Sequence, residues 1–278
     1  MTTPSNDTVM VGAPLTLADV MRVANHGAPV ALSYDARARI VHSRDYVDRL
    51  VAEGRTVYGV TTGFGKLANV RIAPEDVQQL QRNLVRSHAM GVGEPLSQEI
   101  VRGMLLLRAQ SLSLGFSGIR VEVIELLIGM LNHGIHPIIP SQGSVGASGD
   151  LAPLAHMALA LIGEGKVEFG DAMLPAAGAL EEVGLKPVTL EAKEGLALIN
   201  GTQAMTAIGA LTIADALELA TAADIAATMS LEALKGSRAP FDPRVTAVRG
   251  HPGAAESAAN VLKISAESPI GTLTSDKN

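Results

Sequence analysis

The segment Ser141–Leu154 holds the most unusual arrangement of residues in the chain. Its glycines Gly143, Gly146 and Gly149 stand three apart, just before a predicted helix that starts at Asp150. Backbone amides in such a loop, together with the helix dipole, could bind a phosphate. The spacing matches neither of the known glycine-rich phosphate motifs. From the glycines alone, an ordinary tight loop is the simpler interpretation.

The tripeptide Ala147-Ser148-Gly149 also permits a reaction of the backbone itself. A glycine amide nitrogen can attack the carbonyl two residues earlier only where the chain bends sharply and no side chain blocks the approach. Gly149 supplies the conformational freedom and Ala147 keeps the approach open. Loss of water from the new ring, and then from Ser148, would give an alkene conjugated to an imidazolone. That product is an electrophile, which the twenty ordinary side chains do not provide.

The composition excludes several classes of protein. The chain has 278 residues, of which 47% are hydrophobic and 3% aromatic, and its formal net charge is −6. The apolar content argues against disorder, and the lack of a basic run argues against a nucleic-acid partner. Because there is no Cys, disulfide scaffolds, thiol catalysis and thiolate-bound metals are excluded. The histidines and carboxylates have no ligand spacing, so we expect no metal site.

The elements that must position the tripeptide are mostly helical. Apolar spacing and capping residues predict helices over 33–53, 74–89, 97–114, 120–132, 150–162 and 203–235. A short strand is predicted at Thr56–Val60, extended chain at Ile135–Pro140, and short strands between Gly163 and Pro187. We therefore expect a mainly α fold, with a helical bundle core and a small N-terminal region of loops and short strands.

The last predicted helix, over 203–235, carries apolar residues almost all the way round, which predicts burial inside a bundle or an oligomer. The longest uncharged run, Gly195–Ala214, contains too many glycines and polar residues for a membrane span. The start of the chain has no basic stretch followed by an apolar one, so we expect no secretory signal. These features predict a cytoplasmic protein without a membrane partner.

The segment Gly143–His156 closely resembles the signature of the aromatic amino acid ammonia-lyase family. Three further segments resemble that family in the same order, namely Tyr58–Gly65, Glu194–Gln203 and Phe241–Val245. The resemblance extends over about residues 12–253. It implies the ammonia-lyase and fumarase-like helical fold and an assembly of four identical chains. It also implies that a small amino acid is the substrate.

The resemblance assigns roles to single residues. Ala147, Ser148 and Gly149 would form the 4-methylidene-imidazol-5-one (MIO) group, with no metal or nucleotide cofactor. Tyr58 would act as a catalytic acid or base near the substrate β-carbon, although an ordinary phenol is a poor base at neutral pH. The residues implied to bind substrate are His88, Asn200 and Gly65. Asn200 could instead, or in addition, cap the long helix that follows it.

Helix geometry supports a site role for His88 independently of the resemblance. Val77, Leu80 and Leu84 form an apolar stripe, and His88 continues it by one turn. The imidazole is therefore predicted on the inward face at a helix C-terminus, where the dipole favours its protonated form. The alternative is a core histidine that bonds a backbone carbonyl.

Two positions resemble the histidine branch of the family, Ser87-His88 and Gln203. The implied reaction is elimination of ammonia from L-histidine to give trans-urocanate. The alternatives are a phenylalanine or tyrosine ammonia-lyase, an aminomutase, or an inactive member that serves only as an assembly partner.

Members of the family are considerably longer than this chain. Their C-terminal half supplies a second catalytic tyrosine and an arginine for the substrate carboxylate, whereas no Tyr follows Tyr58 here. Three regions are predicted: an MIO-bearing domain over 1–200, the start of a long-helix bundle over 201–255, and a divergent polar tail over 256–278.

Overall fold

The computed structural model describes residues 8–63, 72–145 and 149–270. The prediction of a mainly α fold is confirmed, and the six predicted helices begin and end within a few residues of their predicted limits. The α-helices are α1 Leu17–His26, α2 Tyr34–Ala52, α3 Val77–His88, α4 Gln98–Ser113, α5 Val121–His133, α6 Leu151–Leu161, α7 Ala176–Glu182, α8 Glu194–Ile199, α9 Gln203–Ala233, α10 Pro243–Ala247 and α11 Pro252–Ile264. Of these, α1, α7, α8, α10 and α11 were not predicted.

Short strands form three small sheets. The strands are β1 Val9–Val11, β2 Val30–Leu32, β3 Val92–Pro95, β4 Ile135–Pro137, β5 Pro140–Gln142, β6 Lys166–Phe169 and β7 Ala172–Pro175. β1 and β2 pair in parallel, β3 pairs antiparallel with β5, and β4, β6 and β7 form an antiparallel sheet in that order. The strands predicted between 163 and 187 are β6 and β7.

The strand predicted at Thr56–Val60 is wrong, because this segment is a turn. Gly59 has φ +70°, which bends the chain. The hydroxyl of Thr61 accepts a hydrogen bond from the Val57 amide at 2.9 Å. Such a local side-chain bond satisfies the backbone without a partner strand, so no strand forms here.

The chain divides into two compact units, Met1–Leu211 and Thr212–Asn278. In the first unit, α4 packs against α1 and α5. The core at this contact is aliphatic and fully buried, with members Met104, Leu105, Leu106, Ala109, Leu112, Ile124, Leu127 and Met130. A second group of contacts joins α3, α6 and α8 to one another. That group matters for function, because each of these helices begins or ends beside a predicted site residue.

A buried carboxylate fixes the start of α8. Glu194 has no exposed side-chain surface, and it accepts hydrogen bonds from Arg120 Nε at 2.9 Å and Arg120 Nη2 at 2.7 Å. The backbone amides of Arg120 and Glu191 donate to the same carboxylate. Removal of this carboxylate would leave the Arg120 guanidinium without its counter-ion and these backbone amides without their acceptor, which is costly in a buried site.

In the second unit, a hydrogen bond between Asn260 Nδ2 and Asp224 Oδ2 at 2.8 Å joins α11 to α9. Ser268 donates to Glu232 of α9 at 2.5 Å. Several apolar side chains of α9 are exposed, including Leu217, Leu219 and Met229 at 59%, 71% and 67%. The described residues thus do not bury this helix all round, and its burial in an oligomer stays a prediction.

By length and composition alone, the stretch Glu194–Ala233 is apolar enough to cross a membrane, a test that core helices also pass. The stretch is two helices rather than one, since α8 ends at Ile199 and α9 begins at Gln203.

The buried carboxylate of Glu194 should contribute far more stability than an exposed one. We expect Glu194→Gln to lower the free energy of unfolding by about 3 kcal/mol, because it leaves Arg120 without its counter-ion. The matched control is Glu125→Gln, which breaks a half-exposed ion pair with Arg37 and should cost less than about 1 kcal/mol. Urea unfolding measures both, and equal losses would contradict this account of α8.

Candidate active site

The predicted electrophile lies between β5 and α6, and its last residue is in the described part of the chain. Gly149 has φ +92°, a conformation that favours glycine. A Cβ atom at this position would lie 2.3 Å from the carbonyl oxygen of Gly201. Position 149 therefore excludes every side chain on two grounds, backbone conformation and lack of space. Ala147 and Ser148 lie outside the described residues, as does Gly65.

Asp150 joins three segments of the site. Its backbone amide donates to the Gly201 carbonyl at 2.7 Å. Its carboxylate accepts from Ser144 Oγ at 2.7 Å and from the Met205 amide at 2.9 Å. Asp150 does occupy the residue before α6, but its side chain does not cap that helix. The carboxylate instead satisfies an amide in the first turn of α9, which has no partner within its own helix.

Asn200 is brought next to this segment through its neighbour Gly201. It directly follows α8 as the C-cap residue, and its backbone amide donates to the Leu196 carbonyl at 3.0 Å. The predicted role as a cap for α9 is wrong, since α9 begins three residues later at Gln203. Asn200 is exposed, so its side chain lies at the surface of this unit.

Arg108, which the sequence analysis did not single out, contacts both Asn200 and Gly201. The Arg108 guanidinium donates to the Asn200 carbonyl at 3.2 Å and to Gln203 Oε1 at 2.6 Å. A Cβ atom at Gly201 would lie 2.1 Å from Arg108 Nη1, so the guanidinium packs directly on the glycine backbone. The apolar run Met104–Leu107 directly before Arg108 is the signal that could have marked it as a buried cation.

His88 is the last residue of α3 and is half-buried, as its stripe predicts. Its Nδ1 lies 2.8 Å from the Leu84 carbonyl oxygen and 3.1 Å from Ser87 Oγ. Because a carbonyl only accepts hydrogen bonds, Nδ1 carries a proton. The neutral ring therefore has its lone pair on Nε2. The ring bonds a backbone carbonyl, as the alternative interpretation expects, but it is half-buried rather than in the core, and its role in a site stays a prediction.

The end of α3 is tied to the candidate site by His156 of α6. The Gly91 amide donates to His156 Nε2 at 3.0 Å, and a Cβ atom at Gly143 would lie 3.0 Å from Gly91 Cα. Burial lowers the pKa of His156, which favours the neutral ring that can accept this bond. The sequence motif contained His156 but gave no reason to single it out.

Tyr58 lies in the turn that replaces the predicted strand, and 58% of its side chain is exposed. The turn is stabilised by hydrogen bonds from the Val60 and Thr61 amides to the Val57 carbonyl, at 3.1 and 3.0 Å. This phenol is thus at the surface of the unit rather than in its core.

Within the described ranges, no three His, Asp or Glu side chains are close enough to hold a metal ion.

Comparisons with known proteins agree with the resemblance. The sequence profile of the family "Aromatic amino acid lyase" matches residues 15–278. The chain is 54% identical to the histidine ammonia-lyase of Symbiobacterium thermophilum, over 96% of this chain and 52% of that protein. It is 55% identical to the histidine ammonia-lyase of Sorangium cellulosum, over 94% of this chain and 52% of that protein.

Solved structures of the same kind resemble the fold. The tyrosine aminomutase of Streptomyces globisporus has a TM-score of 0.86 at 39% identity, covering 92% of this chain and 48% of that one. The histidine ammonia-lyase of Trypanosoma cruzi has a TM-score of 0.85 at 40% identity, covering 92% and 49%. The chain spans about half the length of the curated relatives it matches.

The hydrogen bond from the Gly91 amide to His156 predicts how the stability of the fold changes at acid pH. Because its pKa is lowered in the folded state, the unfolded chain binds more protons below the ordinary histidine pKa of about 6.5. Stability should therefore fall as the pH drops through 6.5 towards 5. His156→Gln keeps an acceptor for Gly91 but does not titrate, so its melting temperature should fall less over this range.

The melting temperature of both proteins between pH 8 and 5 checks this. His42→Gln, at an exposed position of α2, is the control for loss of an imidazole. An equal fall in melting temperature with pH for the wild type and His156→Gln would contradict the lowered pKa of His156.

Proposed function

Because the chain belongs to the aromatic amino acid lyase family, we propose that its site eliminates ammonia from L-histidine to give trans-urocanate. The reaction would use an MIO group formed from Ala147, Ser148 and Gly149. The contact of Gly149 with Gly201 is the observation that supports this proposal most strongly. It explains why position 149 has to be glycine, and glycine is the residue whose amide is least hindered in an attack on the carbonyl of residue 147.

The ring closure needs no oxidant or reductant. The Gly149 nitrogen forms a bond to the carbonyl carbon of Ala147, and its proton moves to that carbonyl oxygen. The resulting hydroxyl leaves as water with the amide proton of Ser148, which gives a C=N bond. Ser148 then loses its hydroxyl and its α-proton as a second water, which gives the exocyclic alkene. The chain becomes lighter by two waters.

When formed, the group supplies an electrophile that can bind the substrate amine and make it a better leaving group. The other steps of the reaction are assigned to side chains and to a helix terminus. Tyr58 is the proposed base for the β-proton of the substrate, which is only weakly acidic beside an imidazole ring. The N-terminus of α6 begins directly after the tripeptide, and its positive end favours negative charge that develops there.

His88 and Asn200 are the proposed substrate contacts in the described part of the chain. The Leu84 carbonyl fixes the His88 proton on Nδ1, so the neutral ring can accept a hydrogen bond at Nε2 from an N–H of the substrate. Asn200, held by its backbone at the end of α8, presents an amide that can bond a carboxylate or an imidazolone oxygen. Gly65 is proposed as a third contact by resemblance alone.

The histidine substrate rests on Ser87-His88 and on relatives that carry the name histidine ammonia-lyase at 54–55% identity. Gln203, the other position that resembles this branch, is buried, and its side-chain oxygen accepts a hydrogen bond from Arg108. A complete site would also need residues of the kind that the family's C-terminal half supplies. An assembly of four chains and a cytoplasmic location are part of this proposal.

Mass spectrometry of the intact chain tests the formation of the group. The purified protein should be lighter than its sequence by two waters. Ser148→Ala removes the hydroxyl that leaves as the second water, so this variant should lose at most one. A wild-type mass equal to the sequence mass would contradict the proposed function.

Substrate choice is tested with His88→Leu. We expect its ratio of histidine to phenylalanine turnover to fall about tenfold or more, because the polar contact is replaced by an apolar one. The matched control is His133→Leu, since His133 also ends a helix and also has Nδ1 at 2.8 Å from the carbonyl four residues earlier. An unchanged ratio would favour a phenylalanine or tyrosine lyase, or an aminomutase like those similar in structure.

The same assay separates an enzyme from an assembly partner. Urocanate formed by the purified chain alone would eliminate the alternative that the chain is only an assembly partner. Urocanate formed only when a full-length homologue is present would favour it.

A further inference from the structure

Arg108 is a buried cation that the proposed chemistry does not use directly. It lies in the middle of α4, and only 3% of its surface is exposed. Within the described residues its guanidinium pairs with no carboxylate; its partners are two backbone carbonyls, of Ala197 and Asn200, and Gln203 Oε1. Its Nε is buried without a hydrogen-bond partner.

A buried guanidinium of this kind lowers the stability of the folded state. Burial lowers the pKa of Arg108 to about 10, so it still carries its charge at neutral pH. A buried charge without an opposite charge destabilises a fold, and an apolar side chain of similar size is often better tolerated. Packing alone therefore does not account for an arginine at this position.

The three acceptors show what the guanidinium does. Ala197 lies in the last turn of α8 and Asn200 caps that helix, and carbonyls at a helix C-terminus have no partners within the helix. Gln203 is the first residue of α9. One planar, five-donor group thus spans the junction between the two helices, and a flexible ammonium could not reach the same set in one orientation.

The junction in turn holds the glycine that closes the ring. Gly201 lies in the middle of the junction, against Arg108 Nη1. Its carbonyl oxygen accepts the Asp150 amide at 2.7 Å and occupies the space where a side chain of residue 149 would be. Gly201 is therefore close to both the guanidinium and Gly149.

We propose that Arg108 is a positioning residue for the formation of the MIO group. It holds the Gly201 carbonyl where this oxygen keeps Gly149 bent for attack on the carbonyl of residue 147. The inference rests on the proposed function, since it concerns the same tripeptide. It predicts that loss of the guanidinium slows the loss of two waters even in protein that is folded.

Arg102 provides a matched control. It lies on the same helix, is also buried, and also donates to backbone carbonyls, those of Val23 and Leu131, and contacts His136. It makes no described contact with the α8–α9 junction. Arg102→Gln and Arg108→Gln therefore remove the same group from similar surroundings. Only Arg108→Gln removes a contact with the α8–α9 junction that lies against Gly149.

The test is the intact mass of the monodisperse, folded fraction of each variant, together with its melting temperature. Arg108→Gln should reduce the fraction of chains that are two waters lighter by about tenfold or more, since small misplacements of reacting groups have effects of this size. Arg102→Gln should keep the wild-type fraction, even where its melting temperature falls as much. Arg108→Lys, which keeps the charge without the planar fork, should give an intermediate fraction and serves if Arg108→Gln does not fold.

A full two-water loss in folded Arg108→Gln, or in Arg108→Lys where only that variant folds, would overturn the positioning role and leave the proposed function standing. Equal reductions in Arg102→Gln and Arg108→Gln would also overturn it, because the effect would then follow stability. A wild-type chain at its full sequence mass would overturn both.

Discussion

The candidate site depends on the close approach of two backbones, at Gly149 and Gly201. The Gly201 carbonyl accepts the amide of Asp150 and fills the space where a side chain of residue 149 would stand. Position 149 excludes a side chain, and a Cβ atom at Gly201 would displace the Arg108 guanidinium that packs against its other side. Two further contacts of the described residues support it: Asp150 joins α6 to α9, and Arg108 joins α4 to the end of α8.

Buried polar groups, rather than the aliphatic core, define the geometry of this region. Aliphatic side chains such as those of α4 determine which helices pack together, but they leave small sliding motions open. Hydrogen bonds with fixed directions remove that freedom, and they are costly to break once buried. Glu194 fixes the start of α8 and Arg108 fixes its end. The short helix before Asn200 is therefore held by a charge at each end.

Much of the fold could be predicted from local patterns in the sequence. Helix α4 follows from Ser97 and its apolar spacing, and α5 from its apolar run before Gly134, because caps and periodicity act over a few residues. The strand expected at Thr56–Val60 does not form. The Thr61 hydroxyl accepts a hydrogen bond from the Val57 amide, and the positive φ of Gly59 bends the chain into a turn. The start of α9 at Gln203 was predicted, but the short helix α8 before Asn200 was not, because six residues are too few to show a clear helical period. The motif identified Gly149, but the role of Gly201 and Arg108 depends on contacts across more than fifty residues.

The central claim is that the Gly149–Gly201 contact supports a backbone reaction at residues 147–149. Its most direct test is tandem mass spectrometry of a proteolytic peptide that contains Gly143–His156 from the purified chain. The account predicts that the loss of two waters lies entirely within fragments that contain residues 147–149. A peptide at its full sequence mass, or a loss located elsewhere in the peptide, would contradict it.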